Sequence, residues 1–461
     1  MQYTLFQHQT DTVNFLAKTR AAMIGSDPGG GKTPCIIEDI QRRLNANPMS
    51  KTLVIAPKSI LFSAWQDDII KFAPHIRTSV ATAPAAKRKA AFQKPANVYI
   101  TNTDAVKWLD QQQTDDPLFF QDFETIVVDE SGFFMNSSAR TKALLKIRQH
   151  FKYARAMNGT LIGGPITNLY YQYFFLTGSY DVGPSFGKFR NMSMIAYSKP
   201  NMPQYSEWKN KPGIEQIMAK MLAHLTIRHA LTDVVDMPAR LEYTYKYTPN
   251  VKVRKAYEQM KSIARVELED HKKNKTKISA VNASATVAKL LQISAGSILN
   301  ENHDYILVDP QRFDLVTDLI LQYQQNKPLV FFNYTSQRIY MMEAANKAGL
   351  KTSFIDGSVS ATERNIRVQD FQKGIYDALF LQPMAASHGL TLTASTCSIW
   401  SVPIYRGDIY TQAQARNYRI GQKNRVTTIH IEAKNTLERD VYRKLKHKVS
   451  SIDLLNEALK E

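Results

Sequence analysis

Short apolar runs alternate with amphipathic stretches through the first 175 or so residues. Runs at residues 21–24, 52–56, 98–100 and 125–128 each predict a buried strand. The segments between these runs are long enough for crossover helices. Buried strands that alternate with helices predict a parallel sheet in an α/β domain.

The same alternation returns between about residues 301 and 440. Five apolar runs there predict strands, at residues 329–332, 352–355, 378–381, 397–400 and 427–431. A second domain with a parallel sheet is therefore expected in this part of the chain.

The middle of the chain, residues 176–300, follows a different pattern. It opens with a stretch rich in Gly, Pro, Ser and Asn and continues with helical periodicity at residues 214–225, 253–268 and 285–293. We therefore predict an α/β fold with two parallel-sheet lobes, at residues 1–175 and 301–461. Residues 176–300 are predicted to form a largely helical insertion and linker, and the second lobe is predicted to end in a helix.

The charge of the chain narrows the choice of partner. There are 59 Lys and Arg residues against 41 Asp and Glu, which gives a formal net charge of +18. Residues 241–280 carry ten basic side chains against five acidic ones, and residues 416–448 carry ten against three. Such a surplus favours a polyanionic partner, most often nucleic acid. The alternatives are a basic enzyme without a polymer ligand and, for each run, a solvated helix face.

Composition also excludes several classes of protein. The two cysteines, Cys35 and Cys397, are too few for a disulfide framework or for a zinc site made mainly of thiolates. The 44% of hydrophobic residues can bury a large core, which excludes global disorder. No apolar stretch approaches the roughly 20 residues of a membrane span, and the first residues lack the pattern of a signal peptide. We therefore expect a cytoplasmic protein with no membrane partner.

A glycine-rich turn follows the first predicted strand. Residues 25–33 read GSDPGGGKT and lead into a helical stretch at residues 35–44. Glycines let backbone N–H groups close around phosphate oxygens, and the helix presents its positive N-terminus to them. Lys32 would reach the β- and γ-phosphates of a nucleotide, and the Thr33 hydroxyl would ligate Mg²⁺. Ser26 stands where the strict pattern has glycine, so a flexible turn is the alternative, but Gly-Lys-Thr between a strand and a helix favours a nucleotide site.

Two carboxylates, Asp129 and Glu130, follow the predicted strand at residues 125–128. Ligands of open α/β sheets bind at the carboxyl ends of the strands, where the glycine-rich turn also lies. Asp129 would hold Mg²⁺ through water, and Glu130 would polarise an attacking water molecule. Taken alone, an acidic strand end is usually a turn or a helix cap. Together with Lys32 and Thr33 it predicts a site for ATP hydrolysis.

Two arginines near the end of the chain have a spacing typical of a shared helix face. Residues 412–422 read QAQARNYRIGQ, which places Arg416 and Arg419 three positions apart. Planar guanidinium groups suit the charge that develops on a transferred γ-phosphate. The alternative is a basic surface helix that contacts DNA phosphates or no ligand at all.

Taken in order, these motifs resemble the SNF2-like branch of the superfamily 2 helicases and translocases, in the minimal form that bacteria and bacteriophages encode. The resemblance covers nearly the whole chain, and the RxxRIGQ of residues 416–422 is its most specific piece. Other matching segments lie at residues 5–9, 53–59, 65, 100–102, 227–228, 330–334 and 385–392. The resemblance implies two RecA-like lobes with an SNF2-type helical insertion, and a DNA-dependent ATP hydrolase.

The family's functional residues carry over onto matching positions of this chain. The implied ATP contacts are Gln9, which would read adenine, and Gly29, Gly30, Gly31, Lys32, Thr33, Gly389 and Gln412. The implied Mg²⁺ ligands are Thr33 and Asp129, and the implied catalytic residues are Lys32, Glu130, Arg416 and Arg419. The implied DNA contacts are Lys58, Thr101, Asn102 and Asn333.

Three motifs depart from the family pattern. After the acidic pair the chain continues as Ser131-Gly132, where the family has Ala-His. Residues 158–165 read NGTLIGGP in place of the usual Thr-Gly-Thr-Pro, and residues 387–389 read SHG where the family prefers Gly-Gly-x-Gly. The first departure concerns the link between hydrolysis and DNA movement, the second makes the alignment of that motif ambiguous, and the third leaves a bulkier backbone near the cleft. The catalytic Lys, Thr, Asp, Glu and both Arg are present.

The resulting prediction is a DNA-dependent ATPase motor that uses ATP and Mg²⁺ and follows the DNA backbone independently of sequence. Arg416 and Arg419 would complete the ATP site from the second lobe. The favoured task is the remodelling of forks or junctions in replication, recombination or repair. The alternatives are displacement of proteins from duplex DNA without strand separation, an RNA helicase, and a non-catalytic DNA-binding scaffold. For a phage-encoded protein the expected location is the host cytoplasm.

Overall fold

The computed structural model describes residues 4–159, 161, 165–178, 185–199, 202–234, 236–273, 288–299, 305–386 and 389–446. The chain divides into two units, residues 1–236 and residues 237–447. Each unit is built on its own parallel sheet, and the two are described in turn.

The first unit contains a seven-stranded parallel sheet. Its first six strands are β1 (Ala21–Ile24), β2 (Lys51–Ala56), β3 (Thr78–Ala81), β4 (Val98–Asn102), β5 (Phe123–Asp129) and β6 (Tyr153–Met157). A separate antiparallel hairpin of β7 (Met194–Lys199) and β8 (Met202–Asn210) follows, and then β9 (Thr226–Ile227). The order across the sheet is β3-β4-β2-β5-β6-β1-β9. All four strands that the sequence predicted here are confirmed.

These strands are mostly apolar because both faces of the sheet are covered. Alternate residues of β2 enter different cores: Leu53 and Ile55 pack in one, and Val54 and Ala56 in the other. The helices of the unit are α1 (Gln7–Lys18), α2 (Lys32–Ala46), α3 (Asp67–Phe72), α4 (Ala85–Gln93), α5 (Val106–Asp115), α6 (Ala139–Ile147), α7 (Leu169–Thr177), α8 (Phe186–Ser193), α9 (Ile214–Leu222) and α10 (Leu231–Val234).

The second unit contains a six-stranded parallel sheet and a short antiparallel pair. The strands are β10 (Arg240–Tyr247), β11 (Ser297–Leu299), β12 (Tyr305–Leu307), β13 (Leu329–Phe331), β14 (Thr352–Ile355), β15 (Ala378–Leu381), β16 (Cys397–Trp400) and β17 (Val426–Ala433). The sheet order is β10-β17-β16-β13-β15-β14, and β11 pairs with β12. The five predicted strands, β13 to β17, are confirmed.

Helices connect the strands of the second unit as parallel pairing requires. They are α11 (Val251–Lys273), α12 (residues 288–294), α13 (Pro310–Gln322), α14 (Thr335–Lys347), α15 (Ala361–Lys373), α16 (Pro383–Ala386), α17 (Gly407–Gln414) and α18 (residues 438–446). Among the helices that the structure describes in either unit, none has both the length and the apolar character of a membrane span.

The segment predicted as a helical insertion, residues 176–300, contributes strands as well as helices. Its strand β9 pairs with β1 in the first sheet, and its strand β10 pairs with β17 in the second. The two units separate between Asp236 and Met237, inside this segment. The boundaries at residues 175 and 300 stay predictions.

Candidate functional site

The loop between β1 and α2 has a backbone geometry that glycine alone adopts readily. Gly29 and Gly31 have φ angles of 85° and 74°, in the left-handed region. A Cβ atom on Gly31 would lie 2.1 Å from Nε2 of Gln9, so the end of the Gln9 side chain would have to shift to admit it. Gly31 is also the N-cap of the 15-residue helix α2, whose first N–H groups have no partner within the helix. The loop therefore has the geometry of a phosphate site.

The Lys32 ammonium lies against the carbonyl groups of its own loop. Its Nζ donates to the Ser26 oxygen at 2.9 Å and to the Asp27 oxygen at 3.2 Å. The negatively charged oxygens of a phosphate attract an ammonium group more strongly than neutral carbonyl oxygens do. A triphosphate in the loop would therefore replace these carbonyl oxygens as the partner of Lys32. Thr33, the next residue of α2, is partly exposed.

Helix α1 brings two buried side chains to this loop. Nε2 of His8 lies 3.0 Å from the Gly30 oxygen, and Nε2 of Gln9 donates to the Gly31 oxygen at 3.3 Å. The other end of the Gln9 carboxamide accepts a bond from the Phe6 N–H at 2.9 Å. The sequence identified Gln9 but not His8. Contact between Gln9 and adenine stays a prediction.

The acidic pair ends β5, as the sequence predicted. Asp129 is buried, and its Oδ2 accepts a hydrogen bond of 2.9 Å from the indole Nε1 of Trp65, which lies on a π-helical segment, Leu61–Gln66. Burial raises the pKa of the Asp129 carboxyl, and the Trp65 bond and the Lys32 charge oppose that rise. Glu130 has a φ of 56°, a conformation that costs about 1–2 kcal/mol outside glycine. Such strained residues cluster at functional sites.

The residues present fit a magnesium ion. Mg²⁺ is usually held by one or two carboxylates together with substrate phosphates and water, so Asp129 and the Thr33 hydroxyl form a sufficient set of protein ligands. A buried carboxylate whose pKa is raised by burial also gains from a divalent cation beside it. When bound, the ion would offset the charge of the β- and γ-phosphates.

A hydrogen-bond network connects the end of β5 to the segment that follows β6. The Ser131 hydroxyl donates to Oε1 of Gln172, and Nδ2 of Asn158 donates to the same oxygen at 3.2 Å. Nε2 of Gln172 donates to the Leu161 carbonyl at 3.0 Å. Ser131 thus makes a bond that the alanine usual in the family lacks. The sequence did not identify Gln172, and residues 160 and 162–164 of the predicted motif lie outside the described residues.

In the second unit, Arg416 and Arg419 lie beyond the helix on which the sequence placed them. Helix α17 ends at Gln414, so the prediction that both lie on one helix face is wrong. Beyond Gln414 the helical pattern is broken: the Arg416 N–H donates to the Ala413 carbonyl, three residues back, at 3.2 Å. The two side chains still meet, since Nη1 of each donates to the Leu390 carbonyl, at 3.2 Å from Arg416 and 3.1 Å from Arg419.

The two other predicted ATP contacts of this unit lie near the arginines. Gln412 is buried on α17, and its carbonyl oxygen accepts a bond of 2.8 Å from Nε of Arg416. Gly389 has a φ of 69°, which explains a glycine at this position. The preceding residues 387–388 lie outside the described part of the chain.

The predicted DNA contacts of the first unit differ in accessibility. Lys58 is exposed just after β2. Asn102 ends β4, and its Oδ1 accepts a bond of 3.2 Å from Nη2 of Arg88. Thr101 is fully buried and donates its hydroxyl to the Ala81 carbonyl at 2.7 Å, so its side chain offers no surface to a phosphate. We therefore do not retain Thr101 as a DNA contact.

The predicted DNA contact of the second unit, Asn333, follows β13. Its Nδ2 donates to the Pro403 carbonyl at 2.7 Å, and its backbone N–H donates to Oε1 of Gln337 at 3.2 Å. The residue is half-buried.

Two protein families match the chain. Residues 8–295 match the SNF2-related domain, and residues 311–421 match the helicase conserved C-terminal domain. A solved structure of the Sulfolobus solfataricus SWI2/SNF2 ATPase core in complex with dsDNA aligns with 99% of this chain and 94% of that chain, at 19% identity and a TM-score of 0.43.

Several proteins are similar to the chain in sequence. A putative protein of Acyrthosiphon pisum secondary endosymbiont phage 1 is 25% identical, and the alignment covers 99% of both chains. An uncharacterized ATP-dependent helicase of Mycoplasma pneumoniae is 24% identical over 91% of this chain and 38% of its own length. The human DNA annealing helicase and endonuclease is 25% identical over 94% of this chain and 39% of its own length.

Apart from the phage protein, the chain thus spans less than half the length of these relatives. The SNF2-related match, by contrast, covers well over half of the 461 residues, and it includes both the phosphate loop and the acidic end of β5. The chain therefore belongs to the SNF2-related family.

Proposed function

We propose that this chain is a DNA-stimulated ATPase that moves along DNA. One observation carries the proposal: the phosphate loop follows β1 and the acidic pair lies at the end of β5 in the same parallel sheet. Parallel strands end at one edge of their sheet, so the loop and the carboxylates share that edge. ATP and Mg²⁺ are the cofactors that this combination of groups suits.

The residues of the first unit divide the chemistry among them. Lys32 would leave the Ser26 and Asp27 carbonyls and bind the β- and γ-phosphates, and Thr33 and Asp129 would hold a magnesium ion. Glu130, at its strained position, orients the water that attacks the γ-phosphate. The loop glycines at positions 29, 30 and 31 give phosphate oxygens access to backbone N–H groups.

Arg416 and Arg419 are proposed to act in turnover. Their shared contact with Leu390 keeps two guanidinium groups close together, an arrangement that suits the negative charge of a phosphoryl group in its transition state. Gln412, four residues before Arg416, and Gly389, which precedes the Leu390 that both arginines contact, are proposed as further nucleotide contacts.

DNA is proposed to bind through its backbone. Lys58, Asn102 and Asn333 are the proposed contacts, and the net charge of +18 provides the general attraction. Binding of this kind is independent of sequence and weakens as salt concentration rises.

The test compares ATPase rates with duplex DNA, single-stranded DNA, forked DNA and RNA, for the wild type and for Lys32→Ala. We expect stimulation by DNA that Lys32→Ala abolishes. The matched control is Lys18→Ala, an exposed lysine at the end of α1, which should hydrolyse ATP like the wild type. If none of these polymers gives ATP hydrolysis that depends on Lys32, the result would favour the non-catalytic DNA-binding scaffold. Stimulation by RNA alone would favour an RNA helicase.

We further propose branched DNA as the substrate, in replication, recombination or repair. The likeness to a DNA annealing helicase over 94% of this chain supports this choice. The test is ATP-dependent re-pairing of the strands of a model fork, with Lys32→Ala as the inactive control. Displacement of a bound protein from duplex DNA without any re-pairing would favour the alternative function. The end-to-end match with a phage protein supports action in the host cytoplasm.

A further inference from the structure

The pair Ile227-Arg228 matches a family motif, but the proposed chemistry gives it no role. In the structure Ile227 ends β9, the edge strand next to β1. The pairing continues beyond both strands into the phosphate loop. The Gly25 N–H donates to the Ile227 carbonyl at 2.9 Å, and the Asp27 N–H donates to the His229 carbonyl at 3.3 Å.

Side chains add three more bonds between the same two segments. Oδ1 of Asp27 accepts from Nη2 of Arg228 at 2.9 Å, and Oδ2 accepts from the Leu231 N–H at 3.0 Å. The Arg228 side chain is only 5% exposed and that of Asp27 is 30% exposed, so this ion pair is partly shielded from water. The Ser26 hydroxyl accepts from the His229 N–H at 3.0 Å. A glycine, which the strict loop pattern has at this position, would lack that bond.

These bonds hold the two residues on which Lys32 rests. The carbonyls that accept from Lys32 Nζ belong to Ser26 and Asp27, and both residues are anchored to the segment after β9. The remainder of the loop is rich in glycine, whose backbone freedom is costly to restrict. A loop without the anchor would lose more conformational entropy when a triphosphate binds.

We infer that Arg228 is a positioning residue of the ATP site: its ion pair with Asp27 holds the first half of the phosphate loop in the shape that receives the triphosphate. The inference rests on the proposed role of this loop in ATP binding. Arg228 acts through Asp27 and contacts no reacting atom, so its loss weakens nucleotide binding and raises KM, while kcat at saturating ATP changes little.

The experiment measures the equilibrium affinity for a fluorescent ADP analogue with Mg²⁺, together with KM and kcat for ATP. Arg228→Gln and Asp27→Asn should each weaken affinity about tenfold, the scale of one hydrogen bond between charged groups. The double variant should be no weaker than either single one, because both substitutions remove the same interaction. Arg228→Lys, which keeps the charge, should recover most of the affinity.

The control is Arg42→Gln, which breaks an exposed Arg–Glu pair on α2 and should leave affinity and KM unchanged. The inference is overturned if Arg228→Gln and Asp27→Asn both bind nucleotide within twofold of the wild type, or if their losses multiply in the double variant. Asp27→Asn decides the matter if Arg228→Gln does not fold. Lys32→Ala distinguishes failure of the proposed phosphate site from failure of the inference about Arg228. If Lys32→Ala binds the nucleotide normally, the phosphate site itself is contradicted. If Lys32→Ala loses binding while Arg228→Gln and Asp27→Asn keep it, only the role of Arg228 is contradicted.

Discussion

Replacement of Trp65 by phenylalanine tests the construction of the metal site. Trp65 is fully buried, and its indole N–H is 2.9 Å from Oδ2 of Asp129, itself a buried carboxylate. Phenylalanine keeps an aromatic ring at the position and removes the donor. We expect the variant to need more Mg²⁺ for ATP hydrolysis and to lose activity at a higher pH when the solution is acidified.

The magnitude follows from the chemistry of this one bond. A hydrogen bond to a charged acceptor contributes about 1.5–3 kcal/mol, and loss of such a support behind a metal ligand typically lowers metal affinity or activity by about 10–100-fold. We therefore expect the Mg²⁺ concentration for half-maximal rate to rise about tenfold. The Trp65 bond opposes the raised pKa of Asp129, so without it the pKa rises further. Since the ionised form holds the metal, the acidic limb of the pH profile moves to higher pH.

The assay is steady-state ATP hydrolysis against Mg²⁺ concentration, followed by a pH profile at saturating Mg²⁺. Trp108→Phe is the matched control, because Trp108 packs with Phe92 and Phe119 in the same unit and the substitution removes a similar volume. The reasoning about Asp129 is refuted if Trp65→Phe has the same melting temperature, Mg²⁺ dependence and pH profile as Trp108→Phe.

Three further predictions concern the phosphate loop, the second sheet and the arginines. Gly31→Ala forces a left-handed alanine whose Cβ meets Gln9, so it should lose nucleotide affinity and at least about 1 kcal/mol of stability; an unchanged melting temperature and affinity would contradict this. Burial lowers the pKa of His430 from 6.5 to about 4, so the free energy of unfolding should fall as pH drops from 6.5 to 4, because only the unfolded chain then binds the proton. In denaturant titrations, the free energy of unfolding of His430→Gln should fall less over this pH range than that of the wild type. An equal fall would argue against His430 as its cause. Arg416→Ala should keep ATP affinity and reduce kcat about 10³-fold; weaker binding with normal turnover would contradict its role.

Strands buried on both faces were predictable where they contain an uninterrupted apolar run, as residues 53–56 of β2 and the whole of β13 show. Strand β6 was not predicted, since Arg155 stands in its middle. That arginine is fully buried: its Nε donates to Oδ2 of Asp39 at 3.0 Å, and its Nη atoms donate to backbone carbonyls that include those of Leu16 and Thr19. A charge with partners so distant in sequence looks like a surface residue in any local pattern.

The residues of the candidate site also fall into a group that the sequence predicted and a group that it did not. The glycine loop and the acidic pair are local motifs, so their spacing in the sequence was sufficient to find them. The contact of Trp65 with Asp129 joins residues 64 positions apart, and that of Arg228 with Asp27 joins residues 201 positions apart. Such contacts depend on the order of strands in the sheet, and the spacing of residues along the sequence does not specify that order. The spacing of Arg416 and Arg419 likewise predicted their proximity but assigned it to a helix that ends before them.

Release of a third DNA strand from a duplex tests the proposed motor most directly. A translocating enzyme displaces a triplex-forming strand in its path, whereas an enzyme that hydrolyses ATP without moving does not. We predict release that requires ATP and duplex DNA, proceeds with the wild type and is absent with Lys32→Ala. Hydrolysis of ATP on the same DNA without release of the third strand would contradict movement, the central claim about this protein.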